Sequence, residues 1–305
     1  MADGAGTTAR KGSLRATLIG GIAVLLWALL ALFTAATGQV PPFQLAAMSF
    51  TIAFLVAVVM WLRRGRAVLA RLRQPPVVWL IGIGGLFGYH FCYFLALRNA
   101  PAVEASLIAY LWPLLIVFFS ALLPGERLRW YHVAGVFAGL AGTVLLVSGG
   151  ELAFKGEYAL GYAAAGACAL IWSGYSVLSR RFPAVPTDVV GGYCGATAVL
   201  ALLCHLGFET TVWPAGALEW LAVAGLGLGP VGAAFFVWDH GVKHGDIQAL
   251  GAAAYAAPLL STLVLIATGL AAPTAVVLIA CLLITGGAVL GAGGLVRRRR
   301  TAPAG

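Results

Sequence analysis

Ten apolar runs of 17 to 22 residues alternate along the chain with short clusters of charged and turn-forming residues. They extend over Ala16–Thr37, Phe43–Leu62, Val77–Leu97, Val103–Leu123, Tyr131–Val147, Tyr158–Leu178, Val189–Leu206, Leu218–Trp238, Ile247–Thr268 and Thr274–Leu295. A helix crossing a bilayer needs about 20 mostly apolar residues, so each run has spanning length. A barrel strand would alternate polar and apolar residues over about 10 positions, and these runs of Leu, Ala, Val and Gly do not alternate. The pattern predicts an all-α membrane protein with ten transmembrane helices.

Composition agrees with this reading. The chain is 61% hydrophobic and 10% charged, whereas soluble domains carry roughly 25% charged residues. Ten spans leave only short connections, so no separate soluble domain is expected. A net charge of +9 could suggest nucleic acid in a soluble chain, but here the placement of the basic residues matters more. With the N-terminus inside, seventeen of the 19 lysines and arginines fall on the inner side, among them Arg10, Lys11, Arg15, Arg63, Arg64, Arg66, Arg71 and Arg73. Only Arg98 and Lys155 fall outside. This positive-inside bias predicts that both termini are cytoplasmic. The first run follows basic residues as a signal peptide would, yet it exceeds the 7–15 apolar residues of such a leader and reads as a span. Arg297 to Arg300 are expected to anchor the last helix to anionic lipid. The partners are therefore membrane lipid and a small solute, with no nucleic acid and a monomeric chain.

The halves repeat at an offset of 145 residues. Ala109-Tyr110-Leu111-Trp112-Pro113-Leu114-Leu115 meets Ala254-Tyr255-Ala256-Ala257-Pro258-Leu259-Leu260, and the same offset pairs Trp27 with Trp172, Pro41 with Pro186, Arg98 with Lys243, Gly142 with Gly287 and Gly149 with Gly294. An odd number of spans per copy makes the second copy enter the membrane from the opposite side. The expected organisation is a tail at residues 1–15, inverted five-helix repeats at 16–150 and 151–295, and a basic tail at 296–305. Secondary transporters use such repeats to hold a solute near the bilayer midplane and to alternate access to it.

Two five-span repeats, Trp27 and Trp172 near their starts, prolines in spans four and nine, Leu123-Pro124-Gly125-Glu126-Arg127 before a Gly-rich span five, and cytoplasmic termini together resemble the EamA-type branch of the drug/metabolite transporter superfamily. The resemblance covers about Ala16 to Leu295. Within that branch, Tyr89-His90-Phe91-Cys92-Tyr93 followed by Ala109-Tyr110-Leu111-Trp112-Pro113 is similar to the aromatic amino acid exporters of the YddG type. It implies a multi-pass carrier of the bacterial inner membrane. Two departures are Ala271 in place of a second Glu126 and Met48 where relatives often carry a basic residue.

Several residues at membrane depth are candidates for the solute site. Tyr89, His90 and Tyr93 fall within about one helical turn, and polar tips there must face a cavity or the bundle interior. Pro113 and Pro258 free the carbonyls of Ala109 and Ala254. Trp27, Trp112, Trp172, Tyr110, Tyr175 and Tyr255 lie within spans and could stack an aromatic solute or hold an ammonium. No acid occupies the centre of a span, Glu104 and Asp239 coming nearest, and His90 is the only deep group that titrates near neutrality. His240 and His244 have a metal-compatible spacing but fall in an expected turn, and Cys92, Cys168, Cys194, Cys204 and Cys281 sit inside apolar runs, so neither metal nor cofactor is expected. The reading is a secondary transporter that exports aromatic and hydrophobic amino acids and related metabolites, facilitatively. Proton-coupled antiport through His90 is the alternative, and an intramembrane enzyme is less favoured because His90 has no acid near it in sequence.

Overall fold

Backbone N–H and C=O groups find no partner in hydrocarbon, so apolar runs of this length pair them internally, as helices. The computed structural model describes residues 2–65, 67–124, 126–149, 152, 154–269 and 272–291, with side chains from Ser13 onward except at Leu69. Arg66, Gly125, the repeat boundary at Gly150 and Glu151, Ala271, Gly294, Leu295 and the tail of residues 296–305 lie outside the described residues, as do the side chains of Arg10 and Lys11.

Among the described residues the long helical segments are α1 (Ser13–Ala35), α2 (Pro42–Arg64), α3 (Pro76–Asn99), α4 (Ala102–Ser120), α5 (Trp130–Ser148), α6 (Ala159–Ser179), α7 (Val189–Phe208), α8 (Ala217–His244), α9 (Ile247–Ala267) and α10 (Ala275–Gly291). Eight of these are long and apolar enough to cross a membrane; α6 and α10 fall outside that group. In α6 the cause is polarity, because Ser173, Gly174, Tyr175 and Ser176 interrupt its apolar run. In α10 it is length, since its described part has 17 residues. The protein is all-α and multi-pass, with about eight to ten membrane helices.

One boundary differs from the sequence pattern in a way that matters. The expected span ends at Trp238, but α8 continues to His244, so Asp239, His240, Lys243 and His244 lie on a helix rather than in a turn. Asp239 and Lys243 stand one helical turn apart with the Lys243 Nζ 2.9 Å from the carboxylate. Opposite charges at i,i+4 offset each other, which removes the reason for the helix to stop.

Among the described residues α1 is interrupted at Leu29 with no counterpart 145 residues on, whereas irregularities in four other helices share that spacing. A π turn occupies Gly84–Gly88 in α3 and another Gly229–Ala233 in α8, an offset of 145 residues. The α-helical pattern of α4 lapses at Tyr110 and that of α9 at Tyr255, again 145 apart. In the second pair the cause is a proline three residues later: Pro113 and Pro258 have no N–H to give, and their rings crowd the carbonyls of Ala109 and Ala254.

Packing joins the first five segments to the last five. Helix α1 packs on α8, α6 on α3, α2 on α7 and α5 on α10. Small residues let these backbones meet: Gly20 faces Gly241, Gly161 faces Ala100, and Gly135 faces Gly287 and Gly291. The α2 and α7 pair is also tied at both ends. Buried Glu209, just past α7, accepts from the Phe43 and Gln44 backbone N–H groups at 3.0 and 3.1 Å and so caps the start of α2. Asp188, before α7, receives Arg64 from the end of α2 and Arg71 from the following short helix.

Candidate functional site

A cavity of about 640 Å³ lies between α1, α2, α3, α4, α6, α8 and α9. Its floor is a tryptophan cluster. Trp27, Trp112 and Trp172 come from α1, α4 and α6, and Trp238 of α8 lies fully buried against all three, with ring centroids 5.1, 5.7 and 6.3 Å away. Trp27 donates its indole N–H to the carbonyl of Pro230 at 3.2 Å, which ties α1 to the π turn of α8. Trp238 donates to Ser176 Oγ at 3.0 Å, so its polar tip points away from the cavity and is satisfied.

The α3 wall carries Tyr89, His90, Tyr93 and Phe94. Tyr89 and Tyr93 stack with centroids 6.0 Å apart and planes 10° from parallel. His90 places its ring edge against Phe50 at 5.0 Å, and Phe50 stacks on Phe235 at 5.7 Å. A carbonyl oxygen can only accept, so the 2.7 Å contact between His90 Nδ1 and Leu86 O fixes the proton on Nδ1 and leaves Nε2 as the acceptor of the neutral ring. Tyr93 and Ser106 share a hydroxyl contact of 3.3 Å. Thr262 gives its hydroxyl to Pro258 O at 3.0 Å. Buried Ser49 also lines the cavity, and its hydroxyl has no partner among the described residues. No Asp, Glu, Lys or Arg belongs to the described lining.

The cavity reaches Thr37, Gly38, Leu97 and Val147, of which Gly38 and Leu97 are exposed, and this is its open end. The opposite end is shut. Below Trp238 lie buried Val242, Ile247 and Leu250. The buried Asp239 and Lys243 pair accompanies them; Thr187 donates to Asp239 at 2.9 Å and Lys243 to the Val185 carbonyl at 3.1 Å. Arg180, at the end of α6, donates to the carbonyls of Val242 and Gly245 at 2.8 and 2.7 Å and pairs with Glu126. Gln248 of α9 reaches Ser120 of α4 at 3.1 Å. These bonds join different helices and hold this end closed.

Of the residues expected from the sequence, Trp27, Tyr89, His90, Tyr93, Tyr110, Trp112, Trp172 and Pro258 line the cavity together. Pro113 is buried in α4, Tyr175 sits behind Trp172 at 5.2 Å, and Tyr255 packs with Val117, Val136 and Ile284. Ala109 lines the cavity, whereas Ala254 is fully buried outside the lining. Sequence reasoning passed over Phe50, Phe94, Phe235, Ser49 and Trp238. The repeat offset could have found two of these, because it carries His90 onto Phe235 and Tyr93 onto Trp238. No group of three or more His, Cys, Asp or Glu side chains able to hold a metal occurs among the described residues.

The EamA-like transporter family matches residues 14–148. The aromatic amino acid exporter YddG of Ancylobacter novellus is 60% identical over 277 residues, which are 90% of this chain and 96% of that protein. The chain belongs to the EamA-like transporter family. A second relative of this EamA-like transporter, the aromatic amino acid exporter YddG of Salmonella typhimurium, is 27% identical over 82% of the chain and 87% of that protein. A crystal structure superposes with a TM-score of 0.88 at 58% identity, covering 94% of this chain and 99% of that one. This EamA-like transporter is a secondary transporter related to the YddG exporters and a multi-pass protein of the bacterial inner membrane. It is a carrier rather than an enzyme.

Proposed function

We propose that this transporter exports aromatic and other large apolar amino acids by facilitated, alternating access, as a monomer of two inverted five-helix repeats. The observation that carries the reading is the aromatic cavity whose described lining holds no Asp, Glu, Lys or Arg. Indole and phenol rings stack an aromatic side chain and attract an ammonium group through their faces. Hydroxyl-bearing Tyr93 and Tyr110 are within the lining to meet a carboxylate. The names of the YddG relatives support the same class of solute.

The repeat is supported by the π turns and helix lapses that recur at 145 residues. The reciprocal packing of α1 on α8 and α6 on α3 supports it as well. With repeats at 16–150 and 151–295, both termini fall in the cytoplasm and the open mouth faces outward. A single cysteine at Gln39 should then react with an impermeant maleimide added outside intact cells, and one at Arg73 only after permeabilisation. Gln39 is chosen over Gly38 because Gly38 has φ of +66°, which a side chain would strain. The reverse labelling pattern would overturn the orientation.

Facilitated transport is the reading favoured by a described lining that holds no carboxylate. Proton coupling through His90 is the second reading, favoured by its ring standing in the cavity wall with Nε2 free to accept. In liposomes preloaded with phenylalanine, the wild type should take up labelled phenylalanine by counterflow, and an imposed pH difference should produce no lasting accumulation. His90→Gln should keep counterflow within about fivefold, since an amide replaces one acceptor and loses one hydrogen bond of about 1 kcal/mol. Absence of phenylalanine counterflow in the wild type refutes the export reading; pH-driven accumulation that His90→Gln abolishes establishes the coupled one.

A further inference from the structure

An ion pair buried inside a membrane protein is costly unless it performs a task, and Asp239 with Lys243 is such a pair at 1% and 3% side-chain exposure. Both residues stand on α8, so their mutual attraction joins no second helix, and their outer bonds to Thr187 and Val185 reach only the segment between α6 and α7. Arg180, bonded to α8 and to Glu126, already ties separate elements together at this end.

The offset of 145 residues gives the pair a different setting. It carries the cavity-lining residues His90, Tyr93, Phe94 and Leu97 of α3 onto Phe235, Trp238, Asp239 and Val242 of α8. It also carries Arg98, half-exposed in the last turn of α3 and paired with Glu209, onto Lys243. The α3 residues line the open chamber, whereas Trp238, Asp239 and Val242 are buried at the closed end. When inverted repeats exchange conformations, the α8 stripe takes the place of the α3 stripe. Asp239 then stands on the wall of the opposite chamber and Lys243 near its mouth.

We propose that Asp239 and Lys243 form a head-group site for zwitterionic amino acids on the side that is closed in this structure. Asp239 receives the solute ammonium and Lys243 the carboxylate. The pair opens toward the solute and re-forms when the solute leaves for the tryptophan floor, so neither charge is left alone. This rests on the alternating-access reading above. It adds a charged head-group site on one face of the carrier to the aromatic faces and hydroxyls that meet the same groups in the open cavity.

Charge selectivity tests it. Wild type, Asp239→Asn, Lys243→Met and the double variant are reconstituted in full length. Counterflow is then measured for phenylalanine, for the permanent cation phenylethyltrimethylammonium and for the permanent anion 2-phenylethanesulfonate. Asp239→Asn should lose at least tenfold for phenylalanine while gaining uptake of the anion, and Lys243→Met should lose likewise while gaining the cation. The double variant leaves no buried charge unpaired and so keeps its fold; its KM for phenylalanine should rise at least tenfold with kcat retained. Parallel changes for all three solutes in the single variants, or a wild-type KM in the double variant, would overturn the assignment. Failure of the wild type to exchange phenylalanine at all would instead refute the export reading beneath it.

Discussion

Trp172→Ala should cut phenylalanine counterflow at least tenfold and lower the stability of the purified protein by about 3–5 kcal/mol, the usual cost of removing a buried large aromatic. The ring touches Trp27, Tyr89, Trp112, Tyr175, Phe235 and Trp238 at centroid distances of 5.2 to 6.3 Å. Its loss opens the floor of the cavity to the space beneath and also removes a stacking surface for the solute. One aromatic pair contributes about 0.5–1.5 kcal/mol beyond burial, and 1.4 kcal/mol is a tenfold change in affinity. Trp172→Phe should restore most of the stability and part of the transport. Trp220 stacks on Trp213 at 6.1 Å on the surface and is 47% exposed, so Trp220→Ala should change neither by more than about 0.5 kcal/mol. Uptake and melting temperature in detergent provide the two readings, and wild-type uptake by Trp172→Ala would remove the floor from the transport path.

The second large effect belongs to the contact of α5 with α10. A methyl group at Gly135 would lie 2.6 Å from both the Gly287 carbonyl oxygen and the Gly291 nitrogen. Those are backbone atoms and cannot rotate aside, so Gly135→Leu must part the helices. Overpacking of this kind costs about 1–3 kcal/mol and can exceed that. The variant should yield little folded protein by size-exclusion chromatography, while Gly286→Leu, one residue from the contact and facing open space, should behave as wild type. Equal melting temperatures for the two variants would show that the close approach contributes nothing.

These two sites were legible in the sequence to different degrees. Spans and their approximate ends followed from apolar run length because the hydrocarbon demands internally bonded backbone. Trp172 stood out as a Trp paired with Trp27 at the repeat offset. Tyr175 and Tyr255 looked equivalent to lining aromatics yet lie behind the cavity wall, since depth along a span does not tell which face of the helix turns toward the solute. The extension of α8 past Trp238 was hidden for another reason. Asp239 and Lys243 read as loop residues when each is taken alone, and their cancellation is visible only once the helix is built. Helix α6 shows the converse: Ser173, Tyr175 and Ser176 weaken its apolar signal because they are buried against protein rather than lipid.

The charge-free lining of the cavity also decides how the carrier meets the membrane potential. Moving one elementary charge through 100 mV amounts to about 2.3 kcal/mol of work. A zwitterion carries none in sum, and Asp239 and Lys243 cancel each other wherever α8 goes. Under the proposed uncoupled cycle with a zwitterionic solute a full turnover is electrically silent, and a voltage clamp across a reconstituted bilayer should register no current. The cell's resting voltage neither pulls amino acid out nor holds it in. Under the proposed uncoupled cycle only the ratio of concentrations sets direction, so the protein would act as an overflow, draining surplus when synthesis outruns use and idling when it does not.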